Sequence, residues 1–365
     1  MSIKILQLPY LAQKEIIKGM DYTSIFLLSN CSLKMEKVVF SLRFNFVKLR
    51  CAVHKPRFAV RVSEDDDRYI HVVTIEFVEK FSENEENLFR FRIGDSNFKL
   101  NSGSSEEPPL EIKNQLIFNV MSSAIFRYSR DHEGKCVLYG CRQLRREIQW
   151  VLHKEFQRLF PRSSEFLIDT TTHQTLASSM SKCEDVRLNG EVDKAEVIEG
   201  ILSKFMGVKN ICLCSTVSDP FTSNSTIFNV ETLSIEKCEP ALMRSLLHEF
   251  TGCHFVSLNS YFDLTEIESF LTRWMSNEAF HNLETIEIYA RIGFFGFEKI
   301  LDNIRTQPFN PSRRPAVYSN SSRKLMYIDN KDLDCSEWVD IERQLDKKVA
   351  SIQISFEVIR FVVWN

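Results

Sequence analysis

Cysteine and histidine are the side chains best equipped for metal, thiol or acid–base chemistry, and the chain carries ten of the first and eight of the second. Their spacing decides whether they act together. A structural zinc site takes cysteines two to four residues apart and a second matching pair. Cys212 and Cys214 have one residue between them and no such pair nearby. In or beside a strand, both behave as small apolar residues. Cys136 and Cys141 sit near Gly134 and Gly140, but no histidine cluster completes a site. Cys253-His254 is the one Cys/His neighbour pair, and nothing around it supplies the orienting group that a catalytic dyad needs. A structural role is expected for it. The Gly-rich phosphate loop, the dinucleotide fingerprint, the Gly-x-Ser-x-Gly elbow and the His-Glu-x-x-His helix are all missing from the sequence. The expectation is a non-catalytic protein with no cofactor and no metal.

Charge narrows the partners. The formal net charge is −3 and the pI about 6.3, whereas nucleic-acid binders carry a basic surplus to neutralise phosphates. No nucleic-acid partner is expected, and Arg142, Arg145 and Arg146 read as a solvated helix face. The cysteines form no dense framework, and Met1-Ser2-Ile3-Lys4 runs straight into a helical pattern. That reads as a chain without a leader, at home in a reducing compartment, cytoplasm or nucleus. No apolar run approaches the ~20 residues of a membrane helix. Val358 to Trp364 is short and interrupted by Arg360. No membrane partner is expected.

The elements come in three blocks: 1–40, 41–140 and 141–365. Residues 6 to 40 predict three short helices, broken at Gly19 to Thr23 and at Ser29 to Ser32. Leu8-Pro9 opens the first, where the missing N–H of proline costs little. From 40 to 100, Phe44 to Leu49, Phe58 to Val62, Ile70 to Val78 and Leu88 to Ile93 alternate or run apolar as strands do. Ser63 to Arg68 reads as a turn. Residues 101 to 109 form the clearest loop, with Ser104 and Ser105 before acidic residues. Leu144, Ile148, Val151, Leu152, Phe156 and Leu159 share one face of a helix over 142–159, which Pro161 stops.

After residue 183 a strand triplet recurs: Val186-Arg187-Leu188, Ile211-Cys212-Leu213, Leu233-Ser234-Ile235, Val256-Ser257-Leu258 and Ile286-Glu287-Ile288. Helical faces follow four of them, at Val197 to Phe205, Leu242 to Phe250, Ile267 to Met275 and Phe297 to Ile304. The unit after Leu213 has a polar segment with Pro220 instead. Strand then helix at 20 to 30 residues predicts a leucine-rich-repeat-like array. An ordinary α/β domain with parallel strands is the alternative. Leu325 to Ile328, Val349 to Phe356 and Val358 to Trp364 predict strands that cap its end. The fold class is thus α/β: a three-helix module, a strand-rich region, an irregular array and a β-rich cap.

The N-terminal residues Leu8-Pro9, Lys14-Glu15-Ile16-Ile17, Met20, Ile25 to Ser32 and Lys34 resemble an F-box. Val256 to Asn259, Phe270 to Trp274, Asn282 to Ile286, Lys347 to Ala350 and Phe361 to Trp364 are similar to the type-2 F-box-associated domain of the large nematode F-box family. The resemblance implies a substrate-recognition subunit of a ubiquitin ligase. Its F-box would dock on a Skp-family adaptor, and through it a cullin, using Leu8, Pro9, Ile16, Ile17, Met20, Leu27, Leu28, Cys31 and Lys34. Some of these would serve the module's own core, because about 40 residues cannot bury all of them.

An unknown protein substrate would bind the C-terminal domain. Strand side chains alternate, so the middle residue of each triplet is expected outward. The candidate substrate-binding residues are then Arg187, Asn189, Glu236, Asn259, Glu287 and Tyr289. A repeat-type scaffold without a ubiquitin-ligase role is the second reading.

Overall fold

Helix after helix at the N-terminus is cut short by a residue that caps or cannot continue it. The computed structural model describes residues 5–29, 32–42, 44, 48–54, 56–63, 69–78, 88–92, 123–130, 136–142, 145–159, 164–171, 176, 183–217, 219–261, 263–290, 299–319 and 332–364. Cys31, the turn at 64–68, the 101–109 loop, Leu144, Pro161, Phe297 and the strand expected at 325–328 lie outside them. The chain forms two compact units, Met1–Cys183 with Lys204–Met206, and Glu184–Ser203 with Gly207–Asn365.

In the first unit, Pro9 holds an extended backbone and precedes α1 (Tyr10–Lys18), which ends at Gly19. The Asp21 carboxylate accepts from the Ser24 N–H at 2.8 Å and starts α2 (Tyr22–Ser29). Ser32 Oγ accepts from the Met35 N–H at 3.2 Å and starts α3 (Leu33–Phe40). Ile17, Ile25, Phe26, Met35 and Val39 are buried among them. Strands follow: β1 (Lys48–His54), β2 (Arg57–Ser63), β3 (Tyr69–Val78), β4 (Leu88–Arg92), β5 (Ser123–Arg130) and β6 (Cys136–Cys141). Then come α4 (Arg145–Leu159) and β7 (Ser164–Asp169). The strand order is β7-β1-β2-β3-β6-β5-β4, with β7 parallel to β1 and β6 parallel to β3.

α4 buries Ile148, Leu152, Phe156 and Leu159, as its periodicity predicts. Phe156 stacks on Phe26 with ring centroids 4.6 Å apart, and Thr23 Oγ1 donates to the Val72 carbonyl. The N-terminal helices are therefore packed on the rest of this unit. Two sequence expectations change here. Because β7 pairs with β1, the segment 141–169 belongs to the first unit rather than beginning a C-terminal domain. The arginine trio is not a uniform solvated face. Arg142 and Arg146 are exposed, but Arg145 is buried, with its guanidinium donating to the His54 carbonyl and lying over the Phe77 ring.

Burial of His153 in α4, edge-on to Phe166, pushes its imidazole down to about 3. The unfolded chain protonates near 6.5 while the folded one stays neutral. Stability is therefore full above about pH 6.5 and falls by up to about 1.4 kcal/mol per pH unit as pH drops through that window toward 3. Urea titrations at pH 7 and pH 5 are expected to show this slope in the native chain, and a shallower one in His153→Gln.

The second unit opens with β8 (Asp185–Asn189), the two-residue β9 (Val192–Asp193) and α5 (Ala195–Leu202). It continues with β10 (Asn210–Leu213), β11 (Thr216–Val217), β12 (Thr232–Ile235), α6 (Pro240–Glu249), β13 (His254–Ser260), α7 (Leu264–Met275) and β14 (Thr285–Ala290). β15 (Gln307–Pro308), β16 (Val317–Tyr318), β17 (Leu333–Asp334), β18 (Val339–Glu342), β19 (Val349–Ile354) and β20 (Val358–Val363) complete it. β8, β10, β12, β13 and β14 are parallel neighbours in that order. β20 pairs antiparallel with β14, followed by β19, β18 and β15. The fold is mixed α/β. A 3₁₀ turn at Thr226–Asn229 stands where the sequence predicts no helix.

Two further expectations are corrected. No α-helix forms over the described residues 299–304. Asp302 and Ile304 instead bond back three residues, to Lys299 and Leu301. The β13 triplet is displaced by one residue: Phe255, not Val256, stands beside Leu233 and Ile286, and Val256 stands beside Ser234 and Glu287. Phe255 reaches Phe250 after α6, with ring centroids 5.9 Å apart, so the larger side chain takes the helix side. Ser257 follows it there, fully buried, and satisfies its hydroxyl on Ser260 Oγ.

Candidate protein-binding faces

α1 presents the first face. At 100° per residue, Gln13 and Ile17 form its buried stripe, Tyr10 and Ile16 flank it, and Leu11 points away. Exposure follows that geometry: Tyr10 49%, Leu11 74% and Ile16 36%. Pro9 and Lys34 are exposed as well. Leu8, Met20, Leu27 and Leu28 are half-buried, while Ile17 is wholly in the core. Tyr10 is held in place by its hydroxyl donating to Ser41 Oγ at 2.8 Å and by Lys14 over its ring. Leu11 counts among the apolar positions of the first helix in the sequence, but neither it nor Tyr10 is among the docking residues expected there. The signal for them is the helical phase set by Gln13 and Ile17, which fixes what is left outside.

The second face lies in the second unit, on the side of the parallel strands opposite α5, α6 and α7. Its middle row runs Arg187, Cys212, Ser234, Val256, Glu287 and, on β20, Arg360. The sequence expects Arg187, Cys212, Ser234, Ser257 and Glu287 outward, and the one-residue displacement of β13 puts Val256 in the place of Ser257. In the structure Cys212, Ser234, Val256 and Glu287 are buried and Arg187 is half-buried. The next row, at the C-terminal ends of the strands, is the accessible one. Asn189, Cys214, Glu236 and Tyr289 are half-buried and Asn259 is exposed. Asn259 has φ 49°, in the left-handed region that asparagine tolerates, at a register irregularity between Ser257 and Ser260. Its amide reaches back to the Glu236 carbonyl at 3.5 Å.

Glu287 is buried because partners from two strands satisfy it. The Tyr289 hydroxyl donates to its Oε2 at 2.9 Å, and Arg360 Nε lies 3.4 Å from the same oxygen. Arg360 also donates to Gln353 Oε1 and to the Tyr289 hydroxyl. Burial raises the Tyr289 hydroxyl above its ordinary value, so it stays a donor at neutral pH. Arg360 and Gln353 were missed in the sequence because they come from strands far along the chain. The face offers hydrogen-bonding side chains along parallel strands, suited to a polypeptide. Among the described residues no group of three or more His, Cys, Asp or Glu is placed to hold a metal ion. No described helix is long and apolar enough to cross a membrane.

No protein-family model matches the chain, and no solved structure does. A stretch of 102 residues is 29% identical to an uncharacterized protein of Caenorhabditis elegans. The match covers 28% of this chain, which thus spans about a quarter (26%) of that relative's length.

Proposed function

We propose that the chain is the substrate-recognition subunit of an adaptor–cullin–F-box ubiquitin ligase. The observation that carries this is the three-helix N-terminus whose first helix leaves Pro9, Tyr10, Leu11 and Ile16 uncovered while Ile17, Ile25 and Phe26 fill the core. Large apolar side chains left outside a helix core fit a protein partner, and these sit within the F-box-like pattern. We read β8, β10, β12, β13 and β14 with their helices as an irregular leucine-rich-repeat-like array, closed at one edge by β20. Its accessible strand-end row would receive the protein substrate. The partial match to a nematode protein accords with the nematode F-box resemblance.

The test is a pull-down of the full chain with purified Skp-family adaptor. Leu11→Asp with Ile16→Asp changes only exposed side chains and is expected to weaken capture at least about a hundredfold, since central interface residues are worth roughly 2 kcal/mol or more each. An unchanged thermal melt accompanies the loss. Undiminished capture by that variant would remove the assignment. Tyr289→Ala with Glu236→Arg is expected to lose co-purifying substrate and keep the adaptor. If every partner is retained, substrate recognition lies elsewhere, first of all in the segment 215–229.

One observation favours a second reading, a repeat-type scaffold without a ligase role. The N-terminal helices spend part of their surface inside the chain, through Phe26 on Phe156 and the Glu36–Arg158 ion pair. Failure of the native chain to bind adaptor, with its protein partners still captured, would select it.

A further inference from the structure

Alternation along an extended chain puts residues i and i+2 on the same side of a sheet. Cys212 and Cys214 obey this at the end of β10, and the structure brings their sulfurs to 3.8 Å. A third residue joins them from the neighbouring strand. Arg187 on β8 donates its Nε–H to Cys214 Sγ at 3.4 Å. The two thiols differ in access: Cys212 is fully buried and Cys214 is half-exposed. The sequence reading treats both as packing residues. Packing alone does not account for a guanidinium aimed at the exposed sulfur of the pair.

We propose that Cys214 and Cys212 form a peroxide-reactive dithiol, with Cys214 the attacking sulfur, Cys212 the resolving one and Arg187 a positioning residue. The thiolate is the nucleophile in this chemistry, and a cationic donor on sulfur favours it. The Cys214 thiolate attacks one oxygen of hydrogen peroxide. The O–O bond breaks, hydroxide leaves and takes up a proton as water, and Cys214 becomes a sulfenic acid. Cys212 then gives up its proton and its sulfur displaces hydroxide from Cys214. The S–S bond forms and the hydroxide, protonated, leaves as a second water. Two thiols and one peroxide give one disulfide and two waters.

The backbone permits the bridge only at the limit. Two strand steps of about 3.3 Å separate the Cα atoms by roughly 6.6 Å, near the upper end of the ~4.4–6.8 Å range that disulfides span. A bridge at that limit is strained and readily reduced, so the change is reversible by glutathione.

The chain supplies its own controls. Burial pushes the Cys238 thiol up to about 12 and Cys51 higher still. Cys253 is half-exposed, as Cys214 is, but burial first, then Glu284 and Glu231, raise its thiol. Its surroundings are electrostatically the reverse of those that Arg187 gives Cys214.

The test exposes the full reduced chain to hydrogen peroxide and follows tryptic peptides by mass spectrometry. Cleavage after Lys209 and Lys237 isolates a peptide whose only cysteines are Cys212 and Cys214. It is expected to become lighter by two hydrogens before Cys253 is modified, and to recover them with glutathione. Cys212→Ser is expected to stop at a sulfenic acid on Cys214 that dimedone labels, and Cys214→Ser to leave Cys212 unlabelled. Arg187→Gln is expected to slow the reaction about tenfold, with Arg187→Lys restoring most of the rate and both melting as the native chain does. A peptide that keeps both thiols while Cys253 oxidises overturns the proposal. So does an Arg187→Gln chain that is folded and reacts at the native rate.

Discussion

Trp274→Ala is expected to destabilise the second unit by about 3–5 kcal/mol, the range for truncating a fully buried large aromatic. Trp274 lies on α7 with Ile267, Phe270 and Leu271, and none of its surface is exposed. Its ring meets Phe361 edge-on at 5.2 Å, and Phe270 meets the same ring at 5.2 Å. Phe361 sits on β20, beside Ile286 of β14. One indole therefore ties a helix to the antiparallel strand that closes the parallel set. Arg343 lies over the same indole, 5.2 Å from the ring centroid. Typical domains have only about 5–15 kcal/mol in total, so the loss should appear as a large fall in the urea midpoint with little change in slope. Trp274→Phe should keep more than half of the stability, because it retains an aromatic edge. A midpoint unchanged in Trp274→Ala would contradict the packing described for α7.

Arg314→Ala should cost a comparable amount, about 3–5 kcal/mol, for a different reason. Arg314 and Asp340 form a buried ion pair, with side chains 1% and 3% exposed. Arg314 Nε donates to both Asp340 oxygens, at 2.8 and 3.1 Å, and Nη2 donates to the Cys335 carbonyl. Ser351 Oγ donates to Asp340 and accepts from the Trp364 indole N–H. The guanidinium also lies over the rings of Phe309 and Trp364. Removing the arginine leaves a buried carboxylate without its cation, and that uncompensated charge is the source of the loss. The double change Arg314→Met with Asp340→Leu should recover most of the stability, since both charges then go together. Chemical denaturation of the two variants separates these outcomes. If the double change is as costly as the single one, packing around Phe309 and Trp364, not charge, holds this corner.

Periodicity along the chain was enough to find most elements. The helix at Arg145–Leu159 and the faces of α5, α6 and α7 follow from apolar residues at 3.6-residue spacing, which only a helix brings together. The strands at Val349–Ile354 and Val358–Val363 follow from short apolar runs between turn residues. The mixed α/β class and the three opening helices were legible for the same reason. Where a sequence run carries apolar residues on both parities, periodicity has no preference. His254 to Ser260 is such a run, and the triplet expected there is one residue out of step. Only the neighbouring strands and Phe250 select Phe255 for the helix side, and a one-residue slip exchanges every side chain between faces.

The binding faces divide along the same line. The sequence by itself determined that Arg187, Cys212, Ser234 and Glu287 occupy one row, because strand alternation is a local property. Whether that row meets solvent was decided by partners it could not name. Glu287 is closed off by Arg360, itself held by Gln353, and the two arrive on β20 and β19 more than sixty residues later. Likewise the sequence marked Leu8 to Lys34 as one helical module, but which of its apolar residues stay outside depended on α4 and β3 packing against it. The nearness of Arg187 to Cys214 is of the same kind, a contact between strands 27 residues apart. Local chemistry fixes each residue's parity and phase. Burial and pairing are sums over distant neighbours, and only the folded chain performs that sum.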